Sequence, residues 1–366
     1  MIKAANIDRV MIVSTLLLVA MGLLMVHSTS DITALNRYGD RYFFLRRQFI
    51  FSGIGLLALF SAMKVPYTFY RKLAYPMLAV VLIGLFLIFI PGIGHSAGGA
   101  KRWIGLGFIT FQPSEAAKLS VIVFLAYSLA RREDRIKDFS TGFLPNILIP
   151  GSVILLIFLE PDLGSAVSLA VLVMIMNFIA GVRVGYLAAL GSAALLSLYI
   201  IITNVEYMME RIIIFLDPWK DPTGSGFQMV QSFLDFGSGG LAGVGLGAGR
   251  QKLFYLPEAH TDFILSVIGE ELGLLGVGLV ICLYILFLIA GTAIALRAKD
   301  LYGTYLALGL TLMVVLQAGL NMAVVLGVLP PKGLPLPFVS YGGSSLLINM
   351  VSVGILLNIY IKSNNA

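Results

Sequence analysis

The chain has few of the side chains that most enzymes use for metal, redox or nucleophilic chemistry. Its 366 residues include one cysteine, three histidines and two tryptophans, and only 12% are charged. A single cysteine excludes a disulfide framework and a thiolate metal site, and three histidines scattered along the chain argue against a histidine metal cluster. A net charge of +6 spread over such a chain does not indicate a nucleic-acid partner.

Long apolar runs, by contrast, fill the sequence, because 58% of the residues are hydrophobic and the mean hydropathy is +0.94. Such a chain must use lipid as its solvent. Runs of spanning length, about 20 residues each, lie at 10–28, 47–64, 73–91, 113–131, 143–160, 163–181, 185–203, 271–296, 303–328 and 344–362. The sequence predicts an all-α integral membrane protein: a polytopic bundle of about ten transmembrane helices, forming a single domain over residues 1–366.

The basic residues predict the orientation of this bundle. Thirteen Lys and Arg lie on the side shared with the N-terminus and eleven on the other side, four of them in one long loop. Because the positive-inside rule discounts long loops, both termini are expected in the cytoplasm.

That long loop covers residues 204–262, on the outer face between the seventh and eighth predicted helices, 185–203 and 271–296. Its apolar segments at 215–219 and 227–233 favour short helices lying on the membrane surface. The glycine-rich stretch 237–249 lacks both the preceding strand and the Gly-Lys-Ser/Thr ending of a nucleotide loop. We expect no nucleotide cofactor there; close backbone packing or presentation of N–H groups to an anion suits this stretch better.

Asp262 is the strongest candidate for chemistry, because it ends the polar run 256–262 and precedes an apolar helix. A carboxylate at this boundary can accept a hydroxyl proton while lipid and loops restrict water. The alternative is that Thr261 or Asp262 simply caps the helix.

Other ionisable residues lie inside predicted helices. Glu115 and Lys118 are three residues apart, hence on one helix face, and form either an ion pair that knits the bundle or the polar wall of a cavity. Glu270 and Glu271 suit a proton path or a cation site, and an interhelical hydrogen bond suits them equally well.

Two further candidates lie in outer loops. Lys332, between two prolines and a glycine, is either a pyrophosphate contact or an ordinary solvated lysine. Trp103, next to Lys101 and Arg102, is either a membrane-interface residue or a stacking surface for a sugar ring, and position alone favours the interface.

Several long motifs resemble those of one family, the SEDS (shape, elongation, division and sporulation) peptidoglycan polymerases. They are the segments 256–264, 268–273 and 332–345, together with Gln112-Pro113-Ser114-Glu115, 101–104 and 160–164. Residues 257–262 and Lys332-Gly333 are similar to the cell-division member, whereas Pro335 and the short termini are similar to the elongation member. The cell-division type is favoured and the elongation type is the alternative.

The resemblance implies a glycosyltransferase that joins lipid II into β-1,4-linked glycan strands and releases undecaprenyl pyrophosphate. It implies Asp262 as the catalytic base, with a substrate site drawn from Lys332, Glu115, Lys118, Trp103, Arg102, Arg250, His260 and Ser344. A divalent cation, Mg²⁺ or Mn²⁺, is a candidate cofactor. The implied partners are a class B penicillin-binding protein and other division-machinery membrane proteins, in the bacterial cytoplasmic membrane at the septum.

Two other functions stay open at the level of sequence. A lipid II flippase would also need a polar cavity among about ten helices, although its charges should be distributed through the membrane depth. A non-catalytic scaffold assigns no role to Asp262.

Overall fold

The computed structural model describes residues 6–97, 100–106, 109–224, 226–249 and 260–364. Within these ranges eight helices are long and apolar enough to cross a membrane, and two shorter apolar helices, Ala74–Ile88 and Leu163–Ile179, complete the set. Each of the ten predicted runs corresponds to one of these helices, which confirms the predicted fold class.

Thirteen α-helices are present in the described residues. They are α1 (Ile7–Tyr38), α2 (Phe43–Lys64), α3 (Tyr67–Lys72), α4 (Ala74–Ile88), α5 (Pro113–Arg131), α6 (Leu144–Leu159), α7 (Leu163–Ile179), α8 (Val184–Asn204), α9 (Glu206–Leu216), α10 (Phe227–Gly239), α11 (Ile264–Leu296), α12 (Leu301–Val325) and α13 (Gly343–Asn364). Their ends follow local chemistry: Gly39 closes α1 with a φ of 71°, and Asp162 and Asp300 cap α7 and α12 by accepting backbone N–H bonds.

The centre of the bundle is formed by α5, which is buried on nearly every side and contacts α4, α7, α12 and α13. Around it, α13 packs along α2, and α11 packs against α1, α10 and α12. At the periphery α8 buries a single residue, Leu187, and leaves its other faces to lipid.

A small antiparallel sheet, which the sequence analysis did not anticipate, lies between α4 and α5. Its strands are β1 (Gly94–Ala97), β2 (Ala100–Leu106) and β3 (Ile109–Phe111), in the order β1-β2-β3. His95 pairs with Trp103 and Gly105 pairs with Thr110. The strands are only three to seven residues long, so they carry no extended alternating pattern that would mark them in the sequence.

Helix α11 is broken at Gly273, whose φ of 66° and ψ of −162° are accessible only to glycine. The break removes two hydrogen bonds from the helix, and the glycine-rich segment 240–245 replaces them. The N–H groups of Leu274 and Leu275 donate to the carbonyls of Gly240 and Leu241, at 2.9 and 3.1 Å. The N–H groups of residues 244 and 245 donate to the carbonyls of residues 270 and 271, at 2.9 and 3.1 Å. All four backbone groups are therefore satisfied, as the membrane interior requires.

The loops that carry the candidate residues meet on one face of the bundle, which we call the site face. Contacts there join the sheet to the α6–α7 hairpin, the turn before α11 to α12, and α9 to the loop after α12. The opposite face, which carries α3, the first turn of α1 and the last turn of α13, we call the N-terminal face. The interval 204–262 contributes α9 and α10 to the site face. The short helix expected at 227–233 is present as α10, whereas the segment 215–219 only follows the last turn of α9, which ends at Leu216.

Candidate active site

Asp262 lies in the turn directly before α11. That helix begins at Ile264 with Phe263 as its N-cap residue, so neither Thr261 nor Asp262 occupies the capping position. The side-chain amide of Asn321, on α12, donates to the backbone carbonyls of Asp262 and Leu334, each at 2.7 Å. One buried amide thus fixes the carboxylate-bearing turn against the loop after α12.

That loop and the turn are joined at two more points. The hydroxyl of Ser340 donates to the carbonyl of Thr261 and accepts the N–H of Leu336 at 2.8 Å. The N–H of Tyr341 donates to the carbonyl of His260 at 2.9 Å. The backbone around Asp262 is therefore rigid, which is what a positioned catalytic group needs.

The loop after α12 passes this carboxylate and carries Lys332, which lies near Arg211 of α9. A methyl group built on Gly333 would lie 3.0 Å from Oδ2 of Asp262, so the residue beside Lys332 runs directly past it. Arg211, on α9, donates to the carbonyl of Pro331 at 3.3 Å. Burial and the nearby Arg211 charge lower the pKa of the half-buried Lys332. Two neighbouring like charges favour an anion at this point.

Glu115 and Lys118 lie behind the loop. Lys118 Nζ is 2.8 Å from Glu115 Oε1 and 2.6 Å from Gln317 Oε1, and both charged side chains are only 3% exposed. Gln317 Nε2 in turn donates to the carbonyl of Pro335 at 2.9 Å. The buried ion pair is thus connected, through one amide, to the backbone of the loop that borders Asp262.

A cavity of about 480 Å³ lies beside the turn. It is lined by Arg47, Ile50, Phe51, Ile54, Trp103, Thr110, His260, Thr261, Tyr341, Gly342 and Gly343. The His260 ring contacts Phe44, with ring centroids 4.7 Å apart. Since Ile50 and Ile54 are exposed along α2, the cavity opens towards lipid while its inner end reaches the residues preceding Asp262.

Ser344 and Arg102 lie at the junction of the sheet, α13 and the α6–α7 hairpin. The Ser344 hydroxyl accepts the N–H of Gln112 at 3.1 Å. Arg102 donates to the carbonyls of Glu160, at 3.4 Å, and Pro161. Both residues therefore brace the wall that carries Trp103.

Glu160 is buried in this hairpin, with 1% of its surface exposed, and neither carboxyl oxygen is hydrogen-bonded to a residue that the structure describes. Burial raises its pKa to about 8; the Asp162 charge acts in the same direction and the Arg102 charge opposes both. The carboxyl is thus largely protonated at neutral pH.

Glu160→Gln is expected to raise the melting temperature at pH 8 and to leave it unchanged near pH 4.5. Because the folded-state pKa of about 8 exceeds the ordinary 4.5, wild-type stability falls as pH rises between these values. Glutamine is neutral throughout and escapes this loss. Melting temperatures in detergent between pH 4.5 and pH 8 test this expectation, with Glu133→Gln, at an exposed position, as the control. A difference in melting temperature between wild type and Glu160→Gln that does not depend on pH would contradict the raised pKa of Glu160.

Arg47 and Arg211 are site residues that were not predicted from the sequence. Arg47 is one of four arginines within residues 37–47, on the predicted outer side, and this basic cluster runs against the positive-inside rule and could have marked it. Arg211 carried no signal beyond its place in the long loop. Two predicted positions, Arg250 and the polar residues 256–259, lie outside the described residues.

Comparisons with known proteins agree with this geometry. The family model described as cell cycle protein, of FtsW, RodA and SpoVE type, matches residues 8–365. A Geobacter sulfurreducens protein named "Probable peptidoglycan glycosyltransferase FtsW" is 46% identical over 359 residues, covering 98% of this chain and 96% of that protein. Stage V sporulation protein E of Bacillus subtilis is 42% identical over 357 residues, covering 98% of each.

Solved structures share the fold. A chain of the structure described as "Structural coordination of polymerization and crosslinking by a peptidoglycan synthase complex" matches with a TM-score of 0.82 and 30% identity, covering 97% of this chain and 98% of that one. Rod shape determining protein RodA of Thermus thermophilus matches with a TM-score of 0.67 and 26% identity, covering 96% of each chain. The chain therefore belongs to the SEDS family, the cell cycle proteins of FtsW, RodA and SpoVE type.

Proposed function

We propose that the chain is a peptidoglycan glycosyltransferase of the cell-division type, which polymerises lipid II into β-1,4-linked glycan strands. The observation that carries this proposal is the rigid placement of Asp262 directly after two residues that line a lipid-facing cavity, in a turn held against the loop that carries Lys332. Relatives named peptidoglycan glycosyltransferase FtsW, 46% identical over nearly the full length, support it.

In the proposed reaction Asp262 removes the proton from the 4-hydroxyl of the acceptor sugar. The hydroxyl oxygen attacks C1 of the donor, and the C1–O bond to the diphosphate breaks, so that the electron pair leaves with undecaprenyl pyrophosphate. One displacement converts an α-linked diphosphate into a β-1,4 bond with inversion. A base and charge neutralisation are sufficient, and no protein nucleophile takes part.

The cations supply that neutralisation. Lys332, in the loop that passes the carboxylate, and the neighbouring Arg211 are assigned to the leaving diphosphate. Arg47 lines the cavity and meets the diphosphate of the second lipid substrate, while Trp103 offers a face for a sugar ring. His260 and Thr261 connect this cavity to Asp262.

Glu115, Lys118, Arg102 and Ser344 act as positioning residues in this scheme. Lys118 already contacts Glu115 and Gln317, through which the pair holds the loop of Lys332. Arg102 and Ser344 hold the wall of Trp103.

A divalent cation fits this site only if the substrate's phosphates supply most of its ligands. Among the described residues no three His, Cys, Asp or Glu side chains converge on a common point. Mg²⁺ is commonly held by one or two carboxylates together with substrate phosphates, and Asp262 could supply one such ligand. A bound cation would neutralise diphosphate charge.

We place the protein in the bacterial cytoplasmic membrane at the septum, with both termini in the cytoplasm and the site face outside. A structural relative comes from a complex of polymerisation and crosslinking, which supports a class B penicillin-binding protein as partner. Other membrane proteins of the division machinery complete the proposed assembly.

The proposal is tested by incubating the purified protein and its partner transpeptidase with lipid II and resolving glycan strands on a gel. Strand formation is expected. Absence of strands, combined with movement of lipid II across vesicles that contain the protein, would replace the polymerase by a flippase.

Arg47→Ala is expected to raise the KM for lipid II at least about tenfold, the cost of losing a hydrogen bond to a charged group. Arg46→Ala is the matched control, because that neighbouring arginine is exposed and pairs with Asp40 at 3.1 Å. Equal KM values for the two variants would remove Arg47 from the substrate site.

A further inference from the structure

A second cavity, of about 870 Å³, lies on the N-terminal face, far along the helices from Asp262. It forms where α3 makes an elbow between α2 and α4 and faces the end of α5. Its lining residues are Val65, Pro66, Thr68, Phe69, Arg71, Lys72, Tyr75 and Tyr127. We call it the elbow groove.

The elbow is held in place by polar contacts with α13 and α12. The N–H of Tyr67 donates to Asn358 Oδ1 at 2.8 Å, and Asn358 Nδ2 donates to the carbonyl of Met63 at 2.7 Å. The Tyr67 hydroxyl donates to Asp300 Oδ1 at 3.1 Å. Because these contacts fix both ends of the turn, the groove is formed before any ligand enters it.

The groove is positively charged on two sides. Arg71 and Lys72 form one wall, and the guanidinium of Arg131 lies 5.8 Å from the ring of Tyr127 on the other and donates to its hydroxyl. None of the eight lining residues is acidic. The neighbouring carboxylate of Asp300 already accepts bonds from Tyr67 and from the N–H of Gly303. The groove therefore favours an anion.

Its remaining surface is apolar and continues into the membrane. Phe69 and Tyr75 are exposed, and Phe86, about three turns beyond Tyr75 on the same side of α4, is exposed as well. A ligand that satisfies both parts has an anionic head at the interface and an acyl chain below it. Arginine, lysine and tyrosine at a membrane boundary suit such a headgroup.

We propose that the elbow groove is a binding site for an acidic phospholipid. The phosphate lies between Arg71, Lys72 and Arg131, and an acyl chain lies along α4 past Tyr75.

The test is native mass spectrometry of the delipidated full chain titrated with phosphatidylglycerol or phosphatidylcholine. Wild type is expected to bind phosphatidylglycerol preferentially, and Arg71→Ala/Lys72→Ala to bind it at least about tenfold more weakly. Arg183→Ala is the matched control, since Arg183 also lies 5.8 Å from a tyrosine ring, that of Tyr186, but lines no part of the groove. It should bind like wild type.

No preference in wild type, or an undiminished preference in the double variant, would overturn the proposal. So would competition by millimolar inorganic phosphate as effective as that by the lipid, because the site would then select a free phosphate. Melting temperature and size-exclusion profile verify that the double variant is folded; both of its altered side chains are exposed.

Discussion

Asp262→Asn is expected to lower the rate of glycan-strand synthesis about a thousandfold, within the range attributed to a general base. Asparagine has the shape of aspartate but cannot take up the acceptor proton. The turn itself should be unaffected, because Asn321 binds the backbone carbonyl of Asp262. The measurement is strand formation from lipid II, with the variant's melting temperature recorded in parallel.

Asp300→Asn provides the matched control for that experiment. Asp300 caps α12 by accepting the N–H of Gly303 at 2.9 Å, a role that asparagine also fills, and it lies on the N-terminal face. Its rate should stay close to that of wild type. Equal strand synthesis by the two asparagine variants would remove Asp262 from the mechanism and leave the family assignment intact.

Gly273→Ala is expected to destabilise the protein by on the order of 3 kcal/mol or more. The backbone there has a φ of 66°, and a methyl group would lie 2.6 Å from the carbonyl oxygen of Leu241 and against the N–H of Gly243. Backbone atoms of the inserted segment cannot move aside without breaking the four exchanged hydrogen bonds. Thermal unfolding in detergent measures the loss.

Gly278→Ala tests whether the loss of stability expected for Gly273→Ala comes from the backbone geometry at the break in α11. Gly278 lies on the same helix, and a methyl group there would meet no atom within 4 Å. Alanine favours a helix over glycine by about 0.5–1 kcal/mol, so this variant should melt at or above the wild-type temperature. A similar loss in both variants would mean that the geometry at Gly273 has no special cost.

The positions of the membrane helices could be predicted because bilayer thickness fixes the length of an apolar run. Where the predicted bounds or continuity of a helix differ from the structure, a buried polar residue or a tertiary contact accounts for the difference. The run predicted to begin at 271 belongs to a helix that begins at Ile264, because Glu270 and Glu271 are buried inside it. Gly273 cannot be told from Gly276 or Gly278 by sequence, since only the inserted segment sets its conformation.

The candidate site likewise contains some residues that a sequence motif marks and others that only folding brings together. Asp262 and Lys332 were marked by polar motifs in an apolar chain, and the structure brings the residue next to Lys332 against the Asp262 carboxylate. Arg47 and Arg211 reach the site through folding of separate loops, so no local pattern identifies them. The connection from Lys118 through Gln317 to residue 335 spans more than two hundred positions in sequence and is visible only in three dimensions.

At Gly273, α11 and the segment 240–245 compete for the same backbone groups, the N–H groups of residues 274 and 275 and the carbonyls of residues 270 and 271. If the segment 240–245 withdrew, the N–H groups of residues 274 and 275 could return to the carbonyls of 270 and 271, and α11 would heal into one continuous rod. The helix can therefore either bind the segment 240–245 at the break or be continuous, but not both. Because the last residue of α10, Gly239, lies against Gly269 of α11, a displacement of α10 would act directly on this choice, beside the hydrogen bonds between Glu271 and Ser28.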